Sequence, residues 1–474
     1  MNWDYILHIG IISIALLIAA LARARIRFFQ RYLIPSSIVA GILLLVFYNF
    51  FAPKLGLKSD FLGEIVYHLL NISFIAMMLR VVPENRKKVK GRRTIAANVT
   101  SVMAQYGMQA FFGLLVTALL IATISPNLFP AIGFFLPLGF ELGPGQAYSI
   151  GVTWERMGFV GASSVGLTIA AIGFLIGSFG GVMLINQGIK RGWIAKKYRE
   201  KIDRQSIRTG FFSRVTTERP IGSYLTTDGE SLDSLTYHIA LVMGTYLISW
   251  GFLTGLTALL NLIGPLGSDL ADSLWGINFV FSSFCALGVK MLMRLFKVET
   301  TIDTATCNRI SGFSVDLTVA ASLGAISLVV VQGYWIPILA LIITGMLLTI
   351  VVLPWYCSRI FDDHQFYRML VIYGTATGTL PTGLALLRVV DKEFETPVAT
   401  DYLYAVGIVF ILAIPFIMSM NLPAFSITRN QPSLFWLAVG ISAFYMTASF
   451  VAYLVIAKKR SFAQAGKLFY TEEA

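Results

Sequence analysis

Two short stretches hold the polar chemistry of this chain. "ELGPGQA" (141–147) sets Glu141 and Gln146 around Gly143, Pro144 and Gly145. "GTATGTLPTG" (374–383) sets Thr375, Thr377, Thr379 and Thr382 around Gly374, Gly378, Pro381 and Gly383. Glycine lets backbone come close to a ligand, and proline fixes φ and removes a donor. A short helix starting near Gln146 would aim its unpaired N–H groups at the turn, and helix N-termini bind carboxylates. The threonine hydroxyls and nearby carbonyls are oxygen ligands of the kind hard cations take. The chemistry on offer is recognition of a small anion and a cation such as Na⁺. A plain alternative is a pair of surface loops with Gly/Pro turns.

Further polar residues fall inside apolar surroundings. Asp316, in "SGFSVDLTVAASLGAI" (311–326), is expected about one turn inside an apolar span. A carboxylate there costs roughly 2.5–3.5 kcal/mol or more, so it points to function by default. Sodium coordination is the natural role, and proton carriage, helix capping or an interfacial position are the alternatives. Asn98, Ser101, Gln105 and Gln109 follow one another at helical steps, so they share one face. That face must turn into the bundle, either for helix–helix hydrogen bonds or to line a pathway. Asn71 and Ser73 form a weaker candidate, similar to this polar face. Glu155 and Arg156 are read as rim residues, and Gly173 and Gly177 as a close helix-packing pair.

The elements that would position these residues are membrane helices. The chain has 474 residues, of which 56% are hydrophobic and only 13% charged; soluble domains carry about 25% charged residues. Apolar runs near the ~20 residues needed to cross a bilayer recur from end to end. This makes an all-α polytopic membrane protein, and a β-barrel is excluded because its strands would alternate apolar and polar. Eleven spans are expected: 5–22, 34–52, 65–82, 95–124, 160–188, 236–263, 274–296, 312–333, 335–356, 400–420 and 433–457. Segments 131–158 and 369–390 are apolar but interrupted by Gly, Pro and Thr. The first apolar stretch is read as a retained helix rather than a cleaved signal.

The net charge of +12 gathers in alternate loops, with seven Lys/Arg over 80–93 and ten over 190–219. Under the positive-inside rule the N-terminus is outside and the C-terminus cytosolic. The basic excess is thus topological, and no nucleic-acid partner is expected. The three cysteines and four histidines show no metal-ligand spacing, so no metal site and no cofactor beyond a coupling ion are expected. Five spans precede the polar connection 190–235, so the second half enters from the opposite face. Each half then holds three spans, a long fourth, a Gly-rich interruption and a fifth. Residues 1–189 and 236–420 are therefore expected to be inverted five-helix repeats, with 421–474 an additional span and tail. Paired, interrupted apolar segments are the best sequence pointer to a transporter's binding site. Irregular backbone is tolerated in lipid only where protein or a water-filled cavity surrounds it, so both segments are expected to be re-entrant.

Three stretches resemble the bacterial sodium/glutamate symporter family: "RYLIPSSIVAGILL" (31–44), "ELGPGQAYSIGVTWERMGF" (141–159) and "GTATGTLPTGLALL" (374–387). Gly143 and Gly145 match two of the family's three first-loop glycines, and Gly374, Gly378, Pro381 and Thr382 match the second loop. Leu142 and Pro144 depart from the pattern within the first loop, and the eleventh span exceeds the family's ten. The resemblance implies inverted halves, re-entrant loops meeting near midplane, Na⁺-coupled uptake of an acidic amino acid, a bacterial cytoplasmic membrane and a homodimer. Together these give an expected sodium-coupled symporter of glutamate or a related small anion. Its substrate site would draw on Glu141, Gly143, Gly145, Gln146, Gly374, Thr375, Gly378, Thr379 and Thr382. Its ion site would draw on Asp316, Pro381, Thr382 and Asn71. The alternative is a Na⁺- or H⁺-coupled transporter or antiporter of another carboxylate on the same fold. A membrane enzyme would need a clustered catalytic constellation, which the sequence lacks, and the 190–235 connection is too short for a signalling domain.

Overall fold

The computed structural model describes residues 3–32, 34–81, 91–194, 209–211, 222–262, 264–391, 396–468 and 470. Much of the basic connection 190–235 and most of the basic stretch 80–93 therefore lie outside the described residues. Ten helices are long and apolar enough to cross a membrane, and no strand occurs among the described residues. The chain is a multi-pass membrane protein.

The first half comprises α1 (Asp4–Arg25), α2 (Ser36–Leu55), α3 (Asp60–Leu79), α4 (Arg92–Thr123), α5 (Pro130–Leu142), α6 (Pro144–Arg156) and α7 (Ala162–Arg191). The second begins with α8 (Ser234–Asn261), α9 (Pro265–Gly276), α10 (Asn278–Leu295), α11 (Thr304–Gly324), α12 (Leu328–Gly333) and α13 (Trp335–Ile360). It continues through α14 (Gln365–Ala376), α15 (Leu380–Val390), α16 (Val398–Ser419), α17 (Leu422–Thr428) and α18 (Ser433–Ala457).

Two expected elements come out differently. The span at 312–333 is not one helix: α11 starts at Thr304 and stops at Gly324, and α12 is separate. Asp303 caps α11, accepting from the backbone N–H groups of Ala305 and Thr306 at 3.3 and 2.8 Å. The polar first turns of α11 hide its start from a reading based on apolarity. Packed between α2 and α3, α11 is polar because it faces other helices rather than lipid. The residues between the expected spans 236–263 and 274–296, an outer connection under the expected topology, are instead the body of α9. Gly264 precedes its helical Pro265 with φ +93°, and the helix packs on α6. Ser149 of α6 donates to the carbonyl of Gly276 at 2.6 Å.

Polar side chains bind the interior helices to one another. Ser282 donates to Asn71 Oδ1 at 3.0 Å, and Asn71 donates to its own helix at Tyr67 O. The hydroxyls of Ser73 and Ser311 lie 3.0 Å apart, joining α3 to α11. In the second half, Arg368 and Asp401 form a fully buried pair at 2.8 Å that joins α14 to α16. The packing of α1 on α2, α2 on α11 and α3 on α11 is matched by that of α8 on α10 and α10 on α3. The last helix, α18, lies along α4.

Candidate functional site

Both Gly-rich segments are helices broken in the middle. In the first, α5 widens into a π-helical final turn over Leu138–Leu142, and the helix breaks at Gly143. Gly143 has φ +99°, a conformation L side chains rarely adopt. It lets Pro144 start α6 at once, a position where proline's missing N–H costs nothing. The helix thus starts two residues before the expected Gln146. In the second segment α14 ends at Ala376, residues 377–379 are non-helical, and extended Thr379 precedes α15. Pro381 is the second residue of α15; its side chain lies outside the described residues.

The two breaks touch. A methyl group placed on Gly143 would lie 2.7 Å from Thr379 Cγ2 and 3.3 Å from the carbonyl oxygen of Gly378. Residues some 230 positions apart thus meet main chain to main chain. Each break also presents two helix ends. At the C-terminal ends of α5 and α14 the last carbonyls have no α-helical partner, and at the N-terminal ends of α6 and α15 the same holds for the first N–H groups. Partial negative and partial positive poles therefore stand side by side at the meeting point.

The helix α7 cradles the second break. Methyl groups on Gly173 and Gly177 would lie 2.9 and 2.7 Å from Thr377 O and Oγ1. The GxxxG pair expected to serve helix–helix packing thus admits a chain break. Tyr373 donates to the carbonyl of Ile176 at 2.7 Å, fixing α14 against the same helix. From the other side Gln109 of α4 donates to the carbonyl of Ala376 at 3.2 Å. The polar stripe Asn98, Ser101, Gln105 and Gln109 is wholly buried, and its end reaches the second break. Trp154 of α6 donates to Asn421 Oδ1 at 2.8 Å, which anchors the first hairpin.

Beside the touching breaks lies a cavity of about 130 Å³. Glu141, Gly145 and Gln146 line it from the first segment, and Thr375 and Thr379 from the second. The rest of its wall is mostly apolar, with Leu70 and Phe74 from α3, Phe279 from α10 and Phe410 from α16. Glu141 is 3% exposed, and neither carboxylate oxygen has a hydrogen-bond partner among the described residues. Among the described residues no Lys, Arg or His lines the cavity.

The other expected residues divide clearly. Gly143 and Gly378 form the contact between the breaks. Thr382 lies behind it, its hydroxyl 3.3 Å from that of Thr379. Gly374 packs inside its own hairpin, with a methyl there lying 2.6 Å from Gly383 Cα. Asn71 is committed to the α3–α10 hydrogen bonds and does not line the cavity. Asp316 does not line it either: its neighbours Val315, Thr318 and Val319 do, while Asp316 is exposed on the side of α11 toward Ser37 of α2. Glu155 accepts from Ser163 N and Oγ at 3.0 and 2.6 Å, which makes it a local tie between α6 and α7.

Sequence reasoning missed Tyr106, Tyr402 and Thr318 on the cavity wall. Tyr106 follows Gln105 directly, so it sits about a quarter-turn off the polar stripe; an aromatic there is indistinguishable in sequence from one facing lipid. Among the described residues no group of three His, Cys, Asp or Glu side chains could hold a metal, and Cys285, Cys307 and Cys357 are free. No protein-family model, curated protein or solved structure matches this chain.

Proposed function

We propose that the chain is a secondary active transporter that carries a small organic carboxylate by Na⁺-coupled symport and alternating access. The observation that carries this reading is the contact of two broken helices, Gly143 against Gly378 and Thr379, beside a buried cavity. Broken helices whose half-helix ends face a buried site are the arrangement by which transporters hold charged solutes and ions. The carboxylate would lie at the N-terminal ends of α6 and α15, and Na⁺ among hydroxyl and carbonyl oxygens of the same breaks.

The same reading makes the two segments re-entrant tips of inverted repeats. Support comes from the reciprocal packing of the halves: α1 on α2 mirrors α8 on α10, and α2 on α11 mirrors α10 on α3. The long helices α4 and α13 precede the breaks in their respective halves, and α7 and α16 follow them. The extra helix α18 stands outside that correspondence.

Uptake into proteoliposomes tests it. Labelled carboxylates, hydroxy acids and amino acids should include at least one that accumulates under an inward Na⁺ gradient and not under K⁺. If no member of the panel moves under either a Na⁺ or an H⁺ gradient, the transporter reading is wrong.

A further inference from the structure

We infer that the cavity takes a zwitterion with an apolar body, an α-amino acid of aliphatic side chain, whose ammonium group is received by Glu141. This rests on the transporter reading above and names the substrate class of the same site.

Among the described residues Glu141 is the one carboxylate on the cavity wall, and it is almost wholly buried with both oxygens unpartnered. An unpaired carboxylate in such surroundings is costly, and what relieves the cost is a cation or a proton. No basic side chain of the described wall supplies one. A proton, the coupling ion or the solute must then supply it, and an ammonium group is how the solute does so while also hydrogen-bonding both unpartnered oxygens. The helix ends at the breaks add a second demand. The N-terminal ends of α6 and α15 favour a negative group, and the C-terminal ends of α5 and α14 favour a positive one. Glu141 lies in the last turn of α5, so the carboxylate and that helix's carbonyl pole act in the same direction. A solute with one carboxylate and one ammonium satisfies both poles.

The remaining wall decides the side chain. Leu70, Phe74, Phe279, Val315, Val406 and Phe410 present apolar surface. The second carboxylate of an acidic amino acid would meet these groups with no basic partner. The volume agrees with a compact apolar group: at about 130 Å³ it is close to the roughly 150 Å³ cavity that accommodates benzene.

The test uses the full chain in lipid nanodiscs and proteoliposomes with four probes: L-leucine, 4-methylpentanoate, 3-methylbutylamine and L-glutamate. The two middle probes are leucine without its amino group and leucine without its carboxylate. L-leucine should raise the melting temperature and exchange across the bilayer. Each one-headed analogue should need at least about 30-fold higher concentration, because it leaves a buried charge or pole unpaired. L-glutamate should give no shift. Glu141→Gln should weaken L-leucine by at least about 30-fold without weakening 4-methylpentanoate, whose penalty came from the charge removed. The wild-type ratios decide the class even if the variant fails to fold. L-glutamate binding as tightly as L-leucine overturns the inference and leaves transport standing. So does a folded Glu141→Gln variant with the wild-type ratio of leucine to 4-methylpentanoate. If none of the four probes binds, the inference falls, and the transporter reading falls with it only if the wider panel of the preceding test also fails.

Discussion

Gly143 is the residue on which the geometry of the breaks depends most directly. Its φ of +99° and its distance of 2.7 Å from Thr379 Cγ2 for any added methyl are separate obstacles to a side chain. Gly56 offers a control, since it has φ +72° but nothing within 4 Å of an added methyl. Gly56→Ala should cost about 1 kcal/mol for the left-handed conformation alone. Gly143→Ala should cost more, about 1–3 kcal/mol of strain plus the displacement of Thr379, and should lower solute binding as well. Thermal unfolding of both variants in one detergent checks this; equal losses would mean that the breaks do not need their close contact. Gly143, Gly145, Glu141, Gln146, Thr375 and Thr379 were legible in the sequence because Gly, Pro and polar residues stand out inside apolar runs. Asp316 stood out for the same reason, yet the helix turns it away from the cavity toward Ser37. Rarity in a span marks a residue without saying which way it faces.

At the scale of elements, sequence and structure part where a helix does not look like one. The spans built from continuous aliphatics were legible to within a few residues, because length and apolarity suffice to define them. The helix α9 was hidden by its "GPLGSDLADS" opening, which has loop composition. The start of α11 was hidden by its polar first turns, which Asp303 makes viable. Burial works against the charged form of that carboxylate, but hydrogen bonds from Thr306, Tyr224 and Ala305 outweigh it and hold it below its ordinary value. The stabilisation is therefore present above the unfolded carboxylate range near ~3.9 and is lost as pH falls through the lower folded value. Melting temperatures compared over about pH 6 to 3 should show a wild-type advantage over Asp303→Ala that shrinks as the solution is acidified. At neutral pH that advantage should be about 0.5–2 kcal/mol, the usual worth of a helix cap. An advantage independent of pH would assign it to packing instead.

For the whole molecule, the charge distribution gives a topology that the packing alone does not orient. The proposed arrangement puts α9 outside and the Lys458–Arg460 turn in the cytosol. A membrane-impermeant maleimide should then label Ser268→Cys on intact cells and reach Lys459→Cys only after permeabilisation. The reverse pattern would invert the assignment. The proposed likeness between the halves is faint in sequence because it would lie in element order and reciprocal packing, which different side chains serve equally well. The contact of Gly143 with Gly378 and Thr379 has a mechanical consequence too. Interdigitated side chains act like gear teeth and must climb over one another before they slip. This junction is two main-chain surfaces and one methyl group, so few dispersion contacts of ~0.1–0.2 kcal/mol each are forfeited when it parts. The centre of the bundle is built as a plain bearing, and the resistance to movement lies in the helices around it.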